Sequence, residues 1–153
     1  MKLLIKLFKP IVQKLPLLAD YYRYMRDSKY LKKKVDYRES LGFFFNGHRS
    51  MEEGTFEPQE TFLFEKTIEK FDLFVNICAN TGYYVCKSLK KGIDVVAFEP
   101  NQLNVNILLR NIEANNFSAK FQLFPVALSN IFGVLPMYGW NTGASIDRAI
   151  LEA

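Results

Sequence analysis

The chain has 153 residues, 49% of them hydrophobic, which fits one globular domain better than two. Its 8 glycines, 6 prolines and 2 cysteines exclude collagen-like, low-complexity and disulfide-scaffold proteins, and no run approaches the roughly 18 apolar residues of a membrane span. The charge of +4 is unevenly divided: residues 1–38 carry eleven Lys/Arg against three Asp/Glu, and residues 39–153 carry nine against thirteen. The basic character belongs to an N-terminal arm and not to the domain, which argues against a nucleic-acid partner.

Residues 1–40 are predicted to form that arm, a basic helical segment. Leu4, Leu7, Phe8 and Ile11 follow helical spacing with lysines between them. Two readings fit: a weak contact with an anionic membrane surface, or a helix packed on its own domain with solvated lysines, the commoner use of such a face. Lys6 and Lys9 interrupt the apolar stretch and no small-residue cleavage site follows, so it does not read as a signal peptide. Lys32-Lys33-Lys34 reads as a solvated run ending the arm. Residues 41–153 are assigned to the domain, and 41–70 read as an approach segment. Gly42, Gly47 and Gly54 mark turns there, and Glu57, preceding Pro58, is expected to be extended. A helix is expected from Glu60, with Phe62, Phe64, Ile68 and Phe71 as its apolar markers. His48, the single histidine, reads as a surface loop residue and not a catalytic one. Cys78 and Cys86 match no zinc or redox spacing, which suits a reducing cytoplasm.

From residue 73 the pattern becomes regular. Leu73–Ile77 is predicted as a short buried strand, Tyr83–Lys91 as a helix closed by Gly92, and Asp94–Phe98 as a second strand. Asn101–Asn115 is predicted as a longer helix with Leu103, Ile107, Leu108 and Ile112 on one face, stopped by Asn115-Asn116 in the left-handed region. Ala119–Phe124 is the third strand. Strands alternating with helices over short links predict an α/β, Rossmann-like parallel sheet with helices on both faces.

In such sheets the ligand lies beyond the carboxyl ends of the strands. Two strand ends carry the informative residues. The first runs Asn76-Ile77-Cys78-Ala79-Asn80-Thr81-Gly82, a small-residue loop that lets a ligand approach the backbone where a helix begins. The second is Phe98-Glu99-Pro100-Asn101, whose Glu99 stands seventeen residues after Gly82, where a carboxylate can accept from both hydroxyls of a ribose. In this order and spacing the two suit a nucleoside-bearing cofactor. A dinucleotide site wants three glycines to close on a pyrophosphate, and this loop has only Gly82. S-adenosylmethionine has no pyrophosphate and is favoured over NAD.

Phe74–Tyr84 resembles the Asp-x-Gly-Ala-Asn-x-Gly motif that opens the cofactor site of the FkbM-type methyltransferases. Val96-Ala97-Phe98-Glu99-Pro100-Asn101 is similar to the family's second motif, and Asn104, Leu108, Asn111, Ile112 and Asn115 fit the helix after it. Pro125–Asn130 followed by Gly133 resembles its third strand end, and Gly54–Glu60 its Gly-x-Phe-Glu-Pro segment. The resemblance spans about residues 42–147. It implies a class I S-adenosylmethionine-dependent methyltransferase acting on a hydroxyl of a sugar or other small molecule. By position it implies that residues 76–82 hold the methionine part and Glu99 the ribose. Asn101 and the backbone near Ala127 would flank the adenine. The transfer is an in-line displacement governed by orientation, with a base for the acceptor hydroxyl where one is needed.

Three departures stand out. Asn76 replaces the motif's acid, removing a negative charge near the donor's ammonium, and Cys78 replaces its first glycine. The family's later half, with its Lys-x-Asp-x-Glu-Gly segment, has no counterpart, so the resemblance implies a fold incomplete at the C-terminus. The central strand Leu73–Ile77 is then expected to lack a neighbour, leaving an edge open to self-association. Pro136–Tyr138 and Ala144–Ile146 are the short apolar runs left to fill it. The departures support one alternative, a degenerate Rossmann-like binding or interaction module without catalysis; the other alternative, an NAD-binding oxidoreductase fragment, is disfavoured by the missing glycines.

Overall fold

The structure, a computed structural model, describes residues 16–130 and 132–137. The amphipathic pattern of Leu4–Ile11 and the run Ala144–Ile146 lie outside the described residues, as does Tyr138. The chain divides into two compact units, Met1–Lys33 and Lys34–Ala153. The sequence places this boundary near residue 40. The division comes earlier because Asp36–Arg38 pair within the second unit.

In the first unit, α1 (Pro16–Lys32) opens on the proline, whose fixed φ suits a first helical turn, and ends with Lys29 and Lys32 against the negative end of its dipole. Leu17, Tyr21, Tyr24 and Met25 recur at helical spacing along it and are exposed.

The second unit starts with a hairpin of β1 (Asp36–Arg38) and β2 (Phe43–Phe45), antiparallel with Tyr37 opposite Phe44. A short helix, α2 (Arg49–Glu52), and a longer one, α3 (Pro58–Ile68), lead into the alternating part. That part is β3 (Leu73–Ile77), α4 (Tyr83–Lys90), β4 (Asp94–Phe98), α5 (Gln102–Glu113) and β5 (Phe121–Phe124). The three strands form a parallel sheet in the order β3-β4-β5, with Val75 beside Val96 and Val96 beside Gln122.

Several elements depart from expectation. The first hairpin strand, Asp36–Arg38, lies in the stretch expected to belong to the helical arm, and the second, Phe43–Phe45, in the approach segment; pairing between the two replaces the helix there. α3 starts at Pro58 and not Glu60, because proline fits the first helical turn. Phe62 and Phe71 are exposed, whereas Phe64 packs on Phe74 and Tyr84. Asn115 and Asn116 do not adopt positive φ; the Asn115 side chain is bonded across to β2 instead.

The core lies on one side of the sheet. Val85, Leu89, Val95, Ala97 and Leu108 form a cluster with Phe74, Phe121 and Leu123 packed against it. A second cluster joins Phe43, Phe45 and Met51 to Tyr83 and Cys86, so the hairpin is fixed to α4 by apolar burial. Helices on both faces of the sheet were expected, but among the described residues they cover one. The strand order advances in one direction, and crossovers of one hand then put α4 and α5 on the same face. The other face carries Leu73, Val75, Ile77 and Phe124, all exposed, with the Phe98 and Phe124 rings stacked at 5.2 Å.

Candidate functional site

The carboxyl ends of β3 and β4 are joined by one carboxylate. Glu99 Oε2 accepts from the Asn80 amide at 2.7 Å, while Oε1 accepts from the Asn101 amide at 2.9 Å and from Asn104 Nδ2 at 3.2 Å. Asn101 in turn caps α5, its Oδ1 accepting from Leu103 N at 3.0 Å. Glu99 is buried, and it ties the first strand-end loop to the start of α5.

The loop itself is tightly wound. Ala79 N continues the β4 ladder by donating to Phe98 O at 3.0 Å. Cys78 has φ 63° and Asn80 φ 53°, both left-handed, and Gly82 follows at φ 88°. A Cβ on Gly82 would meet Leu108 Cγ at 3.0 Å, so this glycine serves both its conformation and the close approach of α5. Asn80 eases its own strain by accepting from Thr81 N at 2.7 Å.

A roof for this loop comes from residues 46–57. On α5, Asn111 Oδ1 accepts from Asn46 N at 2.8 Å, and its Nδ2 donates to Asn46 O at 2.9 Å and Thr81 O at 2.8 Å. Four residues on, Asn115 makes the same pair of bonds to Phe44 N and O, at 2.9 and 2.8 Å. Two side-chain amides thus act toward β2 as a neighbouring strand would. Gly47 N and Arg38 both bind the Glu52 carboxylate, at 3.0 Å each, which fixes α2 to the hairpin.

Between roof and loop lies a cavity of about 440 Å³, within the range of small-molecule sites. Asn76, Cys78, Ala79 and Asn80 form its floor; His48, Ser50, Met51, Phe56 and Glu57 come from the roof, and Tyr83 and Tyr84 from α4. Among the described residues Glu57 is the one carboxylate in this wall. Its backbone, expected to be extended before proline, is left-handed at φ 43° and ψ 64°. Tertiary contacts override the local preference. Phe56 packs on Tyr83 and Tyr84 with ring centroids 5.5 and 6.5 Å away, and Thr61 holds Phe56 O at 2.9 Å and Glu57 O at 2.7 Å. The Glu57 carboxylate leaves its own helix uncapped and accepts from Tyr84 Oη at 3.0 Å. Partial burial, with Glu57 adding to it, pushes the Tyr84 hydroxyl above its ordinary range; its bond to Thr61 opposes this. Tyr84 therefore stays a donor at neutral pH. The Tyr83 hydroxyl is buried with no hydrogen-bond partner among the described residues.

Of the residues expected to contact a cofactor, the structure brings Asn76, Cys78, Ala79 and Asn80 together in the cavity wall. Thr81 and Gly82 are buried behind it. Glu99, Pro100 and Asn101 are not in the wall, and Ala127 is exposed in the segment after β5, also outside it. His48 is exposed as expected, yet it also borders the cavity, with Nδ1 2.9 Å from Ser50 Oγ. Glu57, Phe56 and the two tyrosines were not recognisable as site residues one by one; the Gly54–Glu60 block was the signal that could have pointed to Phe56 and Glu57, and the end of the Phe74–Tyr84 block to the tyrosines. Among the described residues no cluster of His, Cys, Asp or Glu could hold a metal ion, and no helix is long and apolar enough to cross a membrane. No family model, curated protein or solved structure matches the chain.

Proposed function

We propose that the cavity receives the methionine end of S-adenosylmethionine, and that the chain is the cofactor-binding part of a methyltransferase acting on a hydroxyl of a small molecule or glycan. The observation that carries this reading is the strand-end loop itself: Asn76, Cys78, Ala79 and Asn80 line a cavity of about 440 Å³, with Glu99 clamped directly behind them. The resemblance of residues 42–147 to the FkbM-type family supports the same cofactor. The donor set suits an amino-acid group, since Glu57 and the Asn76 carbonyl can accept from an ammonium. Bound there, S-adenosylmethionine would supply an electrophilic methyl group. This chain's residues would orient the donor, and Phe56, Met51 and Tyr83 would exclude water.

A second reading, a Rossmann-like binding module without catalysis, draws on Glu99. Its carboxylate already takes three internal donors, so it serves the loop before any ribose. Calorimetric titration separates the readings from the third alternative. S-adenosylhomocysteine is expected to bind and NAD to fail. Tight NAD binding without a homocysteine-ligand signal would sink the methyltransferase reading. Binding of both S-adenosyl ligands without methyl transfer to any hydroxyl acceptor would favour the binding module.

A further inference from the structure

We infer that Glu57 carries the negative charge by which this cavity recognises a ligand's ammonium group, taking over from the uncharged Asn76 in the same lining. The inference rests on the cofactor reading above and deepens it. Position 76 lines the cavity but offers only an amide, which can accept a hydrogen bond from an ammonium yet cannot neutralise it. Glu57 is the one carboxylate in the described wall.

The geometry holds that carboxylate in place by means unrelated to capping. An acidic side chain at the start of a helix ordinarily accepts from the helix's own free amides. Glu57 makes no such bond. Its backbone is in the left-handed region directly before a proline, an arrangement that costs about 1–2 kcal/mol and persists only when surroundings enforce it. Those surroundings are Phe56 seated against Tyr83 and Tyr84, the Thr61 bonds to Phe56 O and Glu57 O, and the Tyr84 hydroxyl on Oε2. One oxygen is anchored by a neutral donor, and Oε1 accepts no hydrogen bond among the described residues. A neutral donor leaves the charge uncompensated, whereas a lysine in that place would cancel it. The Tyr83 hydroxyl, buried in the same wall without a partner among the described residues, is a second polar group that a ligand can satisfy.

The test compares S-adenosylhomocysteine with its desamino analogue, which keeps the carboxylate and lacks the ammonium, by calorimetry on the full chain. The wild-type chain is expected to prefer the amino ligand by about fivefold, the scale of one partly exposed charge pair. Glu57→Gln should abolish that preference, and adding Asn76→Asp to it should restore the preference. A preference that persists in Glu57→Gln, or is absent from the wild type, overturns the inference while binding of the amino ligand still upholds the cofactor reading. Failure of the wild type to bind either ligand overturns both. Should Glu57→Gln not fold, Glu57→Asp serves. It keeps the charge but withdraws it by one methylene, and an unchanged preference there also overturns the inference.

Discussion

At Cys78 the strand-end loop holds a side chain where its backbone favours none. Asn80, two residues on, answers its positive φ with a bond from its own side chain to Thr81 N, whereas Cys78 has no such device among the described residues. Glycine at 78 removes the Cβ clash but loses more freedom on folding. Relief of the clash outweighs that lost freedom, so Cys78→Gly is expected to stabilise the chain by about 0.5–1 kcal/mol, read as a rise in the urea midpoint at constant slope. An unchanged or lowered midpoint would mean that the loop is not strained at this residue. The two cysteines also differ in reactivity. Cys78 is exposed on the cavity wall, while burial pushes the Cys86 thiol up and keeps it protonated. N-ethylmaleimide should modify Cys78 in the native chain and Cys86 only after unfolding. Saturating S-adenosylhomocysteine should slow the first reaction. Equal native rates at both thiols would contradict the packing of α4.

The elements that build the site are joined by asparagines. Asn111 lies on α5, yet its amide bonds the backbone of Asn46 and Thr81, so one side chain fixes the roof and the floor of the cavity to the same helix. Asn111→Ala strands one amide and two carbonyls in a buried place, at a cost of about 2–4 kcal/mol. It should lower the melting temperature and weaken cofactor-ligand binding together. A loss of less than about 0.5 kcal/mol would show that water replaces these bonds. The same contacts explain what could be read from the sequence. β3 and β4 were legible to the residue, and α4, α5 and β5 to within a few, because period and turn residues act locally. The β1–β2 hairpin was not legible. Its strands have three residues each, and Asn111 and Asn115, 65 and 71 residues away, complete their hydrogen bonding. Half of the candidate site hangs from that hairpin, so Glu57 and His48 could not be placed from spacing alone. The strained turn at Glu57 ran against a local rule and followed tertiary packing.

At the scale of the whole molecule, the chain divides after Lys33 into two compact units. A chain starting at Lys34 keeps the hairpin, the sheet and every residue of the cavity wall. It is expected to melt and to bind S-adenosylhomocysteine as the full chain does; normal folding with loss of the ligand would assign the arm a part in the site. The sheet poses a different question. β3 pairs only with β4, and the N–H and C=O groups of its other edge have no strand partner among the described residues. Leu73, Val75 and Ile77 are each more than half exposed on the open face, at 53%, 51% and 57%, and β3 contains no charged residue to deter pairing. Edge and face together favour association of one chain with another through β3, where antiparallel pairing would bring Val75 opposite its own copy and extend the sheet. Size-exclusion chromatography with light scattering is expected to show a mass that rises with concentration. Val75→Lys places a charge on the exposed stripe without touching the core, and should shift that distribution toward the monomer. Amide exchange reports on the edge directly, since protection across residues 73–77 should grow with concentration. A monodisperse monomer with strongly protected amides there would mean that the chain covers its own edge.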